Sequence, residues 1–175
     1  MTFAFMVVID PVGILMPMPD SFKELLGNAI QLNVFGFLVV AIAAPILEEI
    51  LFRGIILEGF LKNYTPWKAI LWSALLFGVS HLNPWQAIPG IGAGILIGWI
   101  YWKTRSILPG ILIHFTNNLT GFLMMVYAST EDDSLYQYFD NKTLYFALFA
   151  ASLGIIYLGY KIVSNKPLVA ITPIA

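Results

Sequence analysis

The sequence predicts an all-α fold, a polytopic transmembrane helical bundle of about five to six spans, and three observations carry that expectation. Of the 175 residues, 59% are hydrophobic and 11% charged, against roughly 45–50% and 25% in an ordinary soluble domain. The mean hydropathy is +0.81, so there are too few polar side chains to cover a globule of this size, and lipid must cover the rest. The apolar residues also come in long runs, not in the ~10-residue alternating segments of a membrane barrel.

Residues 1–18 are apolar but carry Asp10 beside Pro11, with Pro17 and Pro19 following, and read as a broken span or an interfacial segment. No Lys or Arg precedes Lys23, so the positive start of a signal peptide is missing. Residues 19–28 mix Asp20, Lys23 and Glu24 with apolar positions, the pattern of a short amphipathic interfacial helix. Five strong runs follow, at 32–57, 66–82, 86–102, 107–127 and 144–163. Gly90, Gly92, Gly94 and Gly98 put small residues four apart in the third run. That pattern favours close helix packing over a substrate groove.

Placing the first loop inside puts Lys62, Lys68, Lys103, Arg105, Lys161 and Lys166 in the cytoplasm and leaves Lys23 and Lys142 outside. This bias predicts a cytoplasmic carboxyl terminus. Glu131, Asp132, Asp133 and Asp140 then mark an acidic outer loop. Trp67, Trp85, Trp99 and Trp102 sit near span ends as interfacial anchors. The expected organisation is one membrane-embedded domain over 1–175 with a motif-bearing core at 34–127. Its location is an integral membrane position, the plasma (inner) membrane if the source is prokaryotic. A formal net charge of −1 leaves no basic surplus for nucleic acid. The absence of cysteine excludes disulfides, a thiolate nucleophile and Cys-ligated zinc.

Glu48, Glu49 and Arg53 lie inside the first strong run, where each charge costs roughly 2.5–3.5 kcal/mol on insertion scales. Glu49 and Arg53, four apart, share a helix face and are set to pair. Glu48 points about 100° away and is left for a partner elsewhere. Pro45, just upstream, removes an amide hydrogen and is expected to kink the helix and open a pocket beside the carboxylates. The only two histidines, His81 and His114, also fall in apolar runs. Phe77 lies four residues before His81, where it would stack beside the imidazole and dry its surroundings; Asn118 lies four after His114, where its amide can reach the same ligand. At 1.5 Å per residue from the inner span ends, Glu48, His81, His114 and Asn118 fall at depths of roughly 13, 21, 11 and 17 Å. Each alone reads most simply as an interhelical hydrogen bond; together, at compatible depths, they read as a shared functional site.

A carboxylate and a histidine sharing a water can activate it by general-base action, and a second histidine with an amide can hold the oxyanion of a tetrahedral intermediate. Peptide-bond hydrolysis is the natural reaction. No serine sits in a Gly-x-Ser-x-Gly elbow. The zinc alternative, His81 and His114 with one glutamate, stays open by donor type, although a His-Glu-x-x-His helix motif is absent.

Glu48-Glu49-Ile-Leu-Phe-Arg53, Phe77-x-x-x-His81 and His114-x-x-x-Asn118 resemble the three ordered motifs, EExxxR, FxxxH and HxxxN, of the CAAX-protease and bacteriocin-processing (CPBP) intramembrane endopeptidases. The resemblance spans about residues 34–127. It implies an intramembrane endopeptidase in which Glu48 activates water with His81, His114 and Asn118 stabilise the oxyanion, and Glu49 and Arg53 support the site. It implies a membrane-associated peptide or protein as substrate, with the lipid bilayer as the setting. The metal-free, glutamate-type reading is favoured over the metalloprotease one; zinc, if bound, would fall to Glu48, His81 and His114. About 33 residues precede the first strong run, fewer than family members often carry, so a short or truncated amino terminus is expected. Two other classes compete: a non-enzymatic bacteriocin-immunity or partner-binding protein using the same polar face, and, ranked last, ion translocation, for which only Ser80 and Thr120 extend the polar path.

Overall fold

A computed structural model describes residues 1–127, 134–165 and 167. Glu131, Asp132 and Asp133 of the expected acidic loop lie outside the described residues, as does Lys166. Eight helices and no strand are present among the described residues. They are α1 (Thr2–Leu15), α2 (Asp20–Ala29), α3 (Val34–Leu61), α4 (Pro66–Val79), α5 (Pro84–Thr104), α6 (Leu108–Tyr127), α7 (Leu135–Tyr138) and α8 (Lys142–Ser164). The protein is an all-α membrane bundle, and α3 and α8 are each long and apolar enough to cross a bilayer.

Polar residues and prolines set the helix starts. Asn33, Asn83 and Asn141 cap α3, α5 and α8, each accepting a backbone N–H with its side-chain oxygen. Pro66 and Pro84 occupy first helical positions, where the missing amide costs nothing. The break expected in 1–18 is slight: the stretches Thr2–Ile9 and Pro11–Leu15 meet at a turn at Asp10. Asp10 keeps helical angles, Pro11 opens the next turn, and the Gly13 amide reaches back three residues to the Asp10 carbonyl.

Small residues then decide how the helices close up. A methyl group at Gly94 would stand 2.9 Å from Ala74, and one at Gly98 would stand 3.3 Å from Ile70, so α5 lies directly on α4 along that glycine face. Gly92 turns the other way, towards Phe5 and Ile9 of α1. Antiparallel to α8, α1 places Met1 against Gly159 and Asp10 against Tyr145. A buried cluster of Leu57, Leu61, Ala69, Ile70, Trp99, Ile100 and Tyr101 fills the end where α3 finishes, α4 begins and α5 finishes. The polarity is inverted relative to a soluble protein. Glu49 and Arg53 are sealed inside, while Leu47, Ile55, Leu112, Phe146 and Ile162 face outward, as lipid contact requires.

Helix α3 is wound unusually. Its stretches Leu38–Ala43 and Ile50–Leu57 take the wide π form on either side of Pro45 and the glutamates, a feature concentrated at functional sites. Wide turns thus flank Pro45, where a kink was expected. Pro45 itself is fully buried and lines neither of the two main cavities.

Candidate active site

The expected ion pair forms. Arg53 Nη1 donates to Glu49 Oε1 at 2.7 Å, and the two residues are 1% and 0% exposed. Arg53 Nη2 donates to the Gly94 carbonyl at 3.3 Å, an approach open because α5 carries no side chain there. The guanidinium also lies 4.7 Å from the centre of the Phe77 ring, adding a cation–π contact in a dry setting. Gly110 presses on the other carboxylate oxygen: a methyl group there would sit 2.7 Å from Glu49 Oε2.

His114 joins the two glutamates. Its Nδ1 is 3.2 Å from Glu49 Oε1, and its Nε2 is 3.8 Å from Glu48 Oε2. Facing a carboxylate, Nδ1 carries a hydrogen and donates. Divergent directions along α3 had separated the two carboxylates. An imidazole has nitrogens on opposite edges, however, so adjacent residues can each meet one. Glu48 is a third exposed, and its Oε2 is buried with no hydrogen-bond partner.

His81 is not inside a span. Helix α4 ends at Val79, and His81 occupies the turn into α5, where Leu82 takes a positive φ of 58°. Pro84 holds Asn83 in extended geometry, so the chain cannot run on from this turn into α5 as one helix. The i, i+4 relation to Phe77 survives the turn: His81 Nδ1 donates to the Phe77 carbonyl at 3.0 Å. That bond leaves Nε2 as the free lone pair. Phe77 stands edge-on to His81 at 5.3 Å and 87°, where stacking was expected, and edge-on to His114 at 5.5 Å and 90°. One buried ring therefore spaces both imidazoles.

Asn118 does not simply extend the His114 face. Its Nδ2 donates to the Val40 carbonyl of α3 at 3.0 Å, and its Oδ1 accepts from Asn117 Nδ2 at 3.4 Å. His81, His114 and Asn118 all line one cavity of about 180 Å³, together with Phe77, Gly90 and Asn117. No α3 side chain lines it; the carboxylates adjoin it through His114. Thr2, Phe5 and Ile9 of α1, which no motif signalled, form part of its wall, with Trp85, Pro89 and Ile97 of α5. Gly110 and Asn117 were likewise missed. Gly110 lies four residues before His114 on the same helix face, so periodicity alone could have found it.

Among the described residues no three His, Cys, Asp or Glu side chains are grouped to hold one metal ion. Glu48 and His114 approach each other; His81 keeps Nε2 free, the nitrogen a ligating histidine would use, but is not grouped with them.

A "Putative membrane peptidase YdiL" of Bacillus subtilis (strain 168) is 28% identical over 99 residues, covering 57% of this chain and 41% of that protein. An "Uncharacterized 24.3 kDa protein" of Escherichia coli is 32% identical over 96 residues, 51% of this chain and 44% of that protein. The chain spans about two-fifths of the length of these curated relatives. No solved structure matches it. Residues 30–120, just over half of the chain and the segment that holds all three motifs, match the family described as type II CAAX prenyl endopeptidase Rce1-like, and the chain belongs to that family.

Proposed function

We propose that this protein is an intramembrane endopeptidase that hydrolyses a peptide bond of a membrane-associated peptide or protein, using water activated by Glu48 with His81. The observation that carries the reading is His114, held between Glu48 and Glu49 and opening onto the cavity that also holds His81 and Asn118. Glu48 supplies a buried, partnerless carboxylate oxygen, and His81 a free ring nitrogen; both suit a general base. Water oxygen attacks the scissile carbonyl carbon as its proton passes to Glu48. The resulting oxyanion is held by donors from Asn118 and from His114, which as an imidazolium donates from Nε2 while Nδ1 stays on Glu49. The proton then moves to the departing nitrogen as the C–N bond breaks. The Glu49–Arg53 pair keeps His114 in place, and no step uses a metal ion.

The test uses the full chain in liposomes with a library of fluorophore–quencher membrane peptides. We expect cleavage by the wild type and a fall of about 10²–10⁴-fold in Glu48→Gln and His81→Ala, with unchanged thermal melting in detergent and no loss on treatment with a zinc chelator. Full activity in either variant overturns the assignment. Loss with chelator that zinc restores overturns the metal-free part. A cytoplasmic carboxyl terminus belongs to the same proposal. Because the chain has no cysteine, single cysteines at Lys62 and Lys142 should label from opposite sides of the membrane, Lys62 from the cytoplasm.

A further inference from the structure

Within α3 the Ala44 amide donates five residues back, to the Val39 carbonyl, and so bypasses Val40. In that wide register the next amide, at position 45, would belong to the Val40 carbonyl. Position 45 is proline and has no amide. The Val40 carbonyl therefore lacks both of its regular helical donors, the amides of residues 44 and 45, at a depth where an unpartnered carbonyl costs several kcal/mol. The group that meets it is the side-chain amide of Asn118, from a helix 78 residues away.

We propose that Pro45 is a positioning residue of the site: by withholding an amide from the wide turn, it reserves the Val40 carbonyl for Asn118 and so sets which way the Asn118 amide faces the cavity. A carbonyl acceptor accepts only the NH₂ end of the amide, so the flip is decided. The Oδ1 end is held away by Asn117. One Asn118 hydrogen is spent on Val40, which leaves the other for an acceptor in the cavity that Asn118 lines. An alanine at 45 restores the missing amide, and the helix then competes with Asn118 for the same carbonyl. The orientation claim stands on hydrogen bonding alone; its catalytic consequence rests on the function proposed above.

Two measurements on the full chain in micelles separate those parts. With selective ¹⁵N-asparagine labelling, and the Asn118 resonances assigned by Asn118→Ser, Pro45→Ala should move the hydrogen-bonded Asn118 amide proton to the position of a free amide. Ala44→Gly, which loosens the helix but leaves position 45 without an amide, should not. Against the peptide library, Pro45→Ala should lower kcat about tenfold, a fraction of the effect of deleting an oxyanion donor, with KM nearly unchanged, and should cost nothing further in an Asn118→Ala background. An Asn118 resonance indifferent to Pro45→Ala overturns the proposal. So does an equal loss of kcat in both backgrounds, which would mark Pro45 as a general scaffold residue. If the resonance moves while the wild type cleaves no peptide, the positioning device stands and the protease reading falls.

Discussion

At the scale of single residues the centre is a problem of buried charge. Glu49 and Arg53 have almost no exposure, and removing one partner of such a pair leaves the other uncompensated, a loss of about 3–5 kcal/mol. Arg53→Met should therefore unfold the protein at a markedly lower temperature in detergent. The double change Glu49→Met with Arg53→Met should recover a substantial part of that loss, because no lone charge remains. A double variant no more stable than the single one would show that Arg53 matters through its Gly94 and Phe77 contacts instead. Gly110→Ala tests the same centre by volume. Its methyl group meets Glu49 Oε2 and Ile97 at 2.7 Å, so overpacking should cost about 1–3 kcal/mol, read as a lower melting temperature.

At the scale of elements, one carboxylate of α1 clasps α7 and α8. Asp10 accepts the Leu135 amide at 2.6 Å, the Tyr136 amide at 3.3 Å and the Tyr145 hydroxyl at 3.0 Å, joining the start of α7 and the first turn of α8. Hydrogen bonds to a charged group contribute about 1.5–3 kcal/mol each when one partner is lost. Asp10→Ala should raise hydrogen exchange at Leu135 and Tyr136, and along α1, while leaving exchange in α4 and α5 unchanged. Those two helices are held by their own glycine face. The same change loosens a wall of the cavity that holds His81 and His114, since Thr2, Phe5 and Ile9 line it. The opposite end has a similar clasp, in which Glu58 Oε2 accepts from both Tyr101 and Arg105 at 2.9 Å.

At the scale of the whole molecule the apolar exterior is the deciding feature. Trp72 on α4 is 46% exposed among Leu71 and Leu75, whereas Trp99 on α5 is 5% exposed. In single-tryptophan variants reconstituted with brominated phospholipid, Trp72 should be strongly quenched and Trp99 weakly. Equally strong quenching of both would mean that the Trp99 face of α5 also meets lipid, and would overturn this packing.

What could be read from the sequence lay along single helices. Apolar run length located α3, α5, α6 and α8 to within a few residues, because lipid leaves a spanning backbone no alternative to the helix. The Glu49–Arg53 pair followed from four-residue spacing, and close packing from the glycine face. The tertiary structure decided what joins helices: both glutamates on one imidazole, one phenyl ring between two histidines, α1 as a cavity wall and Asn118 on a carbonyl of α3. Each of these arrangements draws in a residue from a distant part of the chain. Periodicity specifies the face a residue occupies, but only packing specifies which face of another helix it meets.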